Sequence, residues 1–263
     1  KVSFSFGSPA LWRNVAGYCI SNGVRLPSLK KVLMAGAPVP ADLHRMLKEV
    51  IADDGETIVP YGTTEALPVA NFTGTEMLAE TAELTANGAG YCVGYPCGGI
   101  KVKIIRAVDE PIEKWDDALV VPDGEKGEIA VSGPVVTREY YNEIGHNRSA
   151  KIHGGPGIFW HRMGDMGYFD SKGRLFTLGR KAHRVFTGEA ILYPISCEAI
   201  FNRHPDVFRS ALVGIGSKGS QTPVIIIEPK PGKMPSSESG KKRFIEELEK
   251  LGKKNADITK VLN

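Results

Sequence analysis

Short apolar runs alternate with stretches of helical period over the first ninety residues, a pattern that predicts βαβ units around a parallel sheet. Residues 2–6 read as a strand. Pro9 then opens a helix in which Leu11, Val15, Tyr18 and Cys19 recur at i, i+4, i+7 and i+8 and are expected to face the core. Residues 31–34 form the next predicted strand, ended by Ala35-Gly36-Ala37-Pro38. A helix from Ala41 to about Ile51 groups Leu43, Met46, Leu47 and Val50 on one face and stops at Asp53-Asp54-Gly55. Residues 57–59 read as a third buried strand. It delivers Tyr61-Gly62-Thr63-Thr64-Glu65 at its C-terminal end, where open α/β sheets bind ligands.

From Asn87 the period changes to two. Ile100, Val102 and Ile104 alternate with Lys101 and Lys103, residues 128–131 follow the turn Asp123-Gly124, and residues 168–170 and 175–178 flank Ser171-Lys172-Gly173 as a β-hairpin. A β subdomain is therefore expected at about residues 88–178. Beyond Gly179-Arg180 come a predicted helix at 197–202, strands at 211–215 and 223–228, and a Pro/Ser/Gly-rich loop at 229–239. A helix near 241–251 with Phe244, Ile245, Leu248 and Leu251 on one face follows, then a strand at 258–262.

The length of 263 residues suits one large domain or two unequal ones. Lys and Arg number 33 against 30 Asp and Glu, a net charge of +3 with no dense basic run, which removes the electrostatic ground for a nucleic-acid partner. No stretch approaches the ~20 apolar residues of a membrane span, and no signal-peptide pattern opens the chain. Cys19, Cys92, Cys97 and Cys197 form no CxxC pair, so they read as free thiols of a reducing, cytoplasmic compartment rather than zinc ligands or disulfides. The first residue is Lys1 rather than Met, which suggests a piece of a longer protein.

Three segments carry candidate chemistry. The turn from Tyr61 to Glu65 combines a flat aromatic, a flexible glycine, two hydroxyls and a carboxylate, enough to stack a base, donate to phosphate and offer Mg²⁺ a hard oxygen. In His161-Arg162-Met163-Gly164-Asp165 the carboxylate could accept both hydroxyls of a ribose. Gly179-Arg180 offers guanidinium donors. Each alone has an ordinary structural explanation as a polar turn, a capping Asp or an exposed basic strand end, and His161 and His183 read as structural histidines.

In series the segments say more. Gly36-Ala37-Pro38, Tyr61-Gly-Thr-Thr-Glu65, Gly94-Tyr95-Pro96, Gly127-Glu128-Ile129 with Ser132-Gly133, Arg162-Met163-Gly164-Asp165 and Gly179-Arg180 occur in an order that resembles the second half of the adenylate-forming superfamily of AMP-forming ligases. The resemblance implies an α/β fold: a partial large domain at residues 1–180, made of a parallel α/β sheet plus the β subdomain, followed by a truncated small α+β C-terminal domain at residues 181–263. It implies ATP or AMP and Mg²⁺ as ligands and a small carboxylic acid as substrate, activated as an acyl-adenylate. Gly36 and Ala37 would then lie beside adenine and the Tyr61 ring against it, with Gly62 in the same turn. Thr64 would contact phosphate, Glu65 would hold the metal, and Asp165 and Arg180 would contact ribose. Ala182 falls at the family's hinge, where many relatives carry Asp or Lys.

After Gly188 the chain departs from relatives that bind CoA. It reads Gly188-Glu-Ala-Ile-Leu-Tyr-Pro194, without the Arg of their Gly-x-Arg-Ile-x-Pro-x-Glu segment, which argues against conventional CoA transfer. Residues 179–185, Leu192-Tyr193-Pro194, 197–202 and His204-Pro205 look most like the olefin β-lactone synthetase branch, which closes a long-chain 2-alkyl-3-hydroxy acid to a β-lactone. The alternatives are a long-chain fatty acid acyl-CoA synthetase and a noncatalytic nucleotide-binding module. The family's phosphate loop would lie upstream and its catalytic Lys beyond Asn263, so the resemblance implies a fragment, inactive by itself.

Overall fold

The computed structural model describes residues 1–255 and 258. The chain divides into two compact units, residues 1–82 with 92–176, and residues 83–91 with 177–263.

The first unit opens with β1 (Phe4–Gly7), α1 (Pro9–Ser21), β2 (Lys31–Met34), α2 (Ala41–Val50) and β3 (Glu56–Thr63), and β1, β2 and β3 pair in parallel. This is the βαβ arrangement expected. Ser8 caps α1 by accepting from the Leu11 N–H, and Pro9 occupies its first turn, where a missing donor costs nothing. The buried face of α1 differs from expectation. Trp12, Ala16 and Cys19 point inward, while Leu11 and Tyr18 are 53% and 66% exposed. Two apolar stripes of equal period lie side by side on this helix, and period alone does not choose between them. In α2 the core face includes His44, whose ring bonds the Thr57 hydroxyl at 2.7 Å, and Met46 is only half-buried.

The sheet is mixed rather than purely parallel. β4 (Ala66–Thr73) folds back antiparallel onto β3 and was not marked by any apolar alternation. A short helical stretch follows as α3 (Gly74–Glu76), a π-helical turn over Met77–Thr81 and α4 (Ala82–Ala86), which carries the chain into the second unit. Then come β5 (Tyr91–Pro96), β6 (Lys101–Ile105), β7 (Gly127–Ser132), α5 (Ile144–Ala150), β8 (Lys151–His153), β9 (Phe159–Phe169) and β10 (Leu175–Arg180). The expected hairpin across Ser171-Lys172-Gly173 is present, but β9 begins well before its predicted start. The strand order is β1-β2-β3-β4-β5-β10-β9-β7-β6, with β8 also on β9. Every residue of β7 is buried.

Beneath β7 lies an ion pair. Arg162 of β9 and Glu128 of β7 are 3% and 2% exposed at the side chain and meet at 2.7 Å. The guanidinium donates from Nε and Nη2 to Glu128, from Nη1 to the Glu110 and Ser149 carbonyls, and from Nη2 to the Val108 carbonyl. All five of its N–H groups are thereby used.

The second unit contains β11 (Val185–Phe186), β12 (Ile191–Leu192), α6 (Pro194–Phe201), β13 (Val207–Ile215), β14 (Thr222–Pro229) and α7 (Glu238–Gly252). β13 and β14 form an antiparallel ladder, and Cys197, Ile200, Phe201, Val207 and Leu248 build its core with Ile258. Ile245, expected on the buried face of α7, is 54% exposed. The strand expected at 258–262 lies outside the described residues except for Ile258, which is buried in a helical position. No helix among the described residues is long and apolar enough to cross a membrane.

Replacing Glu128 by Leu strands a buried guanidinium. Urea unfolding of the Glu128→Leu variant is expected to show a loss of about 3–5 kcal/mol, and a loss under ~1 kcal/mol would mean that the pair carries little of the fold.

Candidate functional site

β2 and β3 pair in parallel from Lys31 with Glu56 to Leu33 with Ile58, so their C-terminal ends point the same way. Just past β2, Gly36 and Ala37 are exposed, and Gly36 has φ 93°, a left-handed conformation that favours glycine. At the end of β3 stand Tyr61 and Gly62. A Cβ on Gly62 would lie 2.4 Å from the Ala66 carbonyl oxygen, so only glycine lets the chain reverse this tightly into β4. Thr64 and Glu65 form the turn itself, closed by the pairing of Thr63 with Ala66, and Thr64 is exposed.

Asp165 reaches the same place by a break in another ladder. Ala130 pairs with Arg162 and Glu128 with Met166, so two steps along β7 span four along β9, and the surplus falls on Met163-Gly164-Asp165. Bulges of this kind re-aim a side chain. The Tyr61 hydroxyl donates to Asp165 Oδ2 at 2.8 Å across 104 residues of sequence. The two residues assigned to base and ribose are therefore in contact.

Around Glu65 lies a group of residues that the sequence did not single out. The Tyr140 hydroxyl donates to Glu65 Oε1 at 2.8 Å, and the Thr137 N–H donates to the Glu65 carbonyl at 2.8 Å. Lys151 Nζ in turn donates to the Thr137 carbonyl at 2.6 Å and to its Oγ1 at 3.0 Å. Lys151 of β8 sits directly opposite His161 of β9, which brings amine and imidazole onto one face. These residues lie more than 70 positions from Glu65, and no spacing in the sequence connects them to it.

Burial sets the protonation of this cluster. Desolvation raises the Glu65 carboxyl, but the opposing effects, led by the hydrogen bond from Tyr140, hold it below the usual carboxylate range. Lys151 is lowered to about 8 by burial, against the attraction of Glu65. His161 is lowered to about 4 by burial and by Lys151, against Glu65 and the Ala150 carbonyl, and its Nδ1 is buried without a hydrogen-bond partner. A neutral imidazole tolerates that bare nitrogen; an imidazolium would not.

No group of three or more His, Cys, Asp or Glu side chains suited to a metal occurs among the described residues. A lone ionised carboxylate such as Glu65 fits Mg²⁺, which keeps its waters and takes most of its remaining oxygens from substrate phosphates. Arg180 and Ala182 belong to the second unit. Arg180 ends β10 and is exposed, and Ala182 is exposed on a single 3₁₀ turn, Lys181–His183.

The model of the family described as AMP-binding enzyme matches residues 1–141. The chain belongs to that family. Among curated AMP-binding relatives, an olefin beta-lactone synthetase of Xanthomonas campestris pv. campestris is 45% identical over 231 residues, covering 86% of this chain and 41% of the relative. The chain thus spans about two fifths of that relative's length. Among solved structures, the amide bond synthetase of Marinactinospora thermotolerans superposes with TM-score 0.75 at 24% identity, over 99% of this chain and 47% of the other. An O-succinylbenzoate Coenzyme A synthetase of Bacillus subtilis, in complex with ATP and magnesium ion, gives TM-score 0.69 at 22% identity, over 94% and 45%. Both likenesses show the α/β fold.

His161 supplies a pH test. Its folded-state value near 4 lies below the unfolded 6.5, so the unfolded chain takes up the proton first as pH falls. The resulting stability is fully present above pH 7 and declines as pH drops from 6.5 toward 4, by about 2 kcal/mol at pH 5. An imidazole NMR titration of His161 with its midpoint near 6.5 would contradict this.

Proposed function

We propose that the polypeptide carrying this chain is an AMP-forming ligase that activates a small carboxylic acid with ATP. The observation that carries this reading is the Tyr61–Asp165 hydrogen bond, which joins two of the candidate nucleotide contacts. The Tyr61 ring offers a stacking face for adenine, and Asp165 an acceptor for ribose hydroxyls, with its charge strengthening those bonds. Exposed Thr64 would supply a hydroxyl donor to the phosphates, and Glu65 would hold the Mg²⁺ that accompanies them. When bound, that ion neutralises charge on the phosphate oxygens. For Arg180 and Ala182, in the second unit, we carry forward the roles that the resemblance implies, a ribose contact and the hinge of the small domain.

In the first step a carboxylate oxygen of the acid bonds to the α-phosphorus and the bond to pyrophosphate breaks. The acid we assign is a long-chain 2-alkyl-3-hydroxy acid. Its own 3-hydroxyl then attacks the acyl carbon, loses its proton, and expels AMP as the β-lactone ring closes. An internal nucleophile replaces a second bound substrate by proximity. The 45% identity to a protein named olefin beta-lactone synthetase and the missing Arg after Gly188 both support this choice over thioester formation. We assign the enzyme to the cytoplasm, in keeping with its thiols.

Two measurements test the reading. The full-length polypeptide, given Mg²⁺-ATP and a long-chain 2-alkyl-3-hydroxy acid, is expected to release AMP and β-lactone without CoA. A CoA-dependent thioester would instead make it an acyl-CoA synthetase, and no AMP with any acid would leave a noncatalytic nucleotide-binding module. The Asp165→Ala variant is expected to bind ATP at least about ten-fold more weakly by calorimetry, since it loses charge-assisted bonds. Unchanged affinity sinks the ribose assignment.

A further inference from the structure

We infer that Tyr140 is a positioning residue that fixes which oxygen of Glu65 is offered to the metal, an inference that rests on the adenylation reading above. The Tyr140 hydroxyl donates to Oε1 of Glu65 at 2.8 Å, which makes Oε2 the carboxylate oxygen that the phenol does not engage. A carboxylate held this way binds a metal through one oxygen in a set direction. That suits Mg²⁺, whose octahedral geometry is strict.

The loop that bears Tyr140 is itself tied down at both ends of its contact with Glu65. Asn147 of α5 holds the Tyr140 backbone twice, accepting from its N–H at 2.6 Å and donating to its carbonyl at 3.0 Å. Lys151 grips the Thr137 carbonyl and hydroxyl, and the Thr137 N–H binds the Glu65 carbonyl. Glu65 is thus held by its main chain and by one side-chain oxygen, from a single loop anchored on α5 and β8. An ordinary capped turn would need neither. The Lys151 ammonium also lies over the Tyr140 ring, 5.4 Å from its centroid, which steadies the phenol from the face while Glu65 holds it at the tip.

The test is a double-mutant cycle in the full-length polypeptide, read by binding of Mn²⁺ to the protein with α,β-methylene-ATP, followed by paramagnetic resonance of the free ion, and in parallel by the Mg²⁺ dependence of pyrophosphate exchange. Tyr140→Phe keeps the ring and removes only the donor. It is expected to weaken Mn²⁺ binding about ten-fold and to raise half-saturating Mg²⁺ by the same factor, with the maximal exchange rate changed less than about two-fold. In the Glu65→Gln background the same replacement is expected to change Mn²⁺ binding no further. Unaltered Mn²⁺ binding in Tyr140→Phe, an equal loss in both backgrounds, or no effect of Glu65→Gln overturns the inference. If the wild type exchanges no pyrophosphate with any acid while the Mn²⁺ coupling is present, the adenylation reading fails and the positioning role stands. If the wild type exchanges and the coupling is absent, the positioning role alone fails.

Discussion

A buried guanidinium accepts its position only if every N–H finds an acceptor, and Arg162 meets that demand by drawing four segments together. Glu128 supplies the countercharge from β7, Val108 and Glu110 supply carbonyls from the loop after β6, and Ser149 supplies one from the end of α5. The desolvation of two ions costs several kcal/mol each, so the pair adds little net stability over an apolar substitute. What it contributes is specificity of arrangement. Any shift of β9 along β7 would leave donors or a carboxylate unpaired in the interior. The register on either side of the break at residues 163–165 is therefore held from the Arg162 side, and Asp165 emerges where it can meet Tyr61.

Both members of the Tyr61–Asp165 contact sit where a ladder loses its regularity. β3 and β4 slip against each other between Tyr61 and Thr63, and β7 and β9 between Glu128 and Ala130. A regular strand commits alternate side chains to its two faces, and both faces of a packed sheet are already occupied. A side chain that must reach a ligand at the sheet's end therefore comes from a break. Gly62 and Gly164 make the breaks possible, the first by lacking a Cβ where the Ala66 carbonyl approaches, the second by adopting φ 67°.

These facts explain what the sequence could and could not convey. The βαβ start, the Lys101–Ile105 strand and the Ser171-Lys172-Gly173 hairpin were legible because their periods or turn residues act over a few positions. Tyr61, Glu65 and Asp165 stand out only as a series of short segments in a recognisable order, since each alone describes an ordinary turn, and of these the structure brings Tyr61 and Asp165 into contact. The buried stripe of α1 was misassigned because Trp12-Ala16-Cys19 and Leu11-Val15-Tyr18 have the same spacing, and packing rather than period decides between them. β4 was missed because Leu67, exposed beside Pro68, breaks the alternation of a half-buried strand. The support of Glu65 by Tyr140, Thr137 and Lys151 depends on pairings of β7, β8 and β9 that no local pattern encodes.

Burial and hydrogen bonding, rather than net charge alone, set the character of the carboxylate at Glu65. Lys151 already attracts the carboxylate, and a divalent ion arriving with a polyphosphate would feel that ammonium as a repulsion. His161 adds no further positive charge, because burial keeps it neutral across the physiological range. The Tyr140 hydroxyl acts differently from both. It stabilises the ionised carboxylate without adding a cation, and it engages one of the two oxygens rather than both. A carboxylate organised by hydrogen bonds in this way presents an oxygen in a set direction, so on the adenylation reading proposed above a cation there would depend on the phosphates that accompany it.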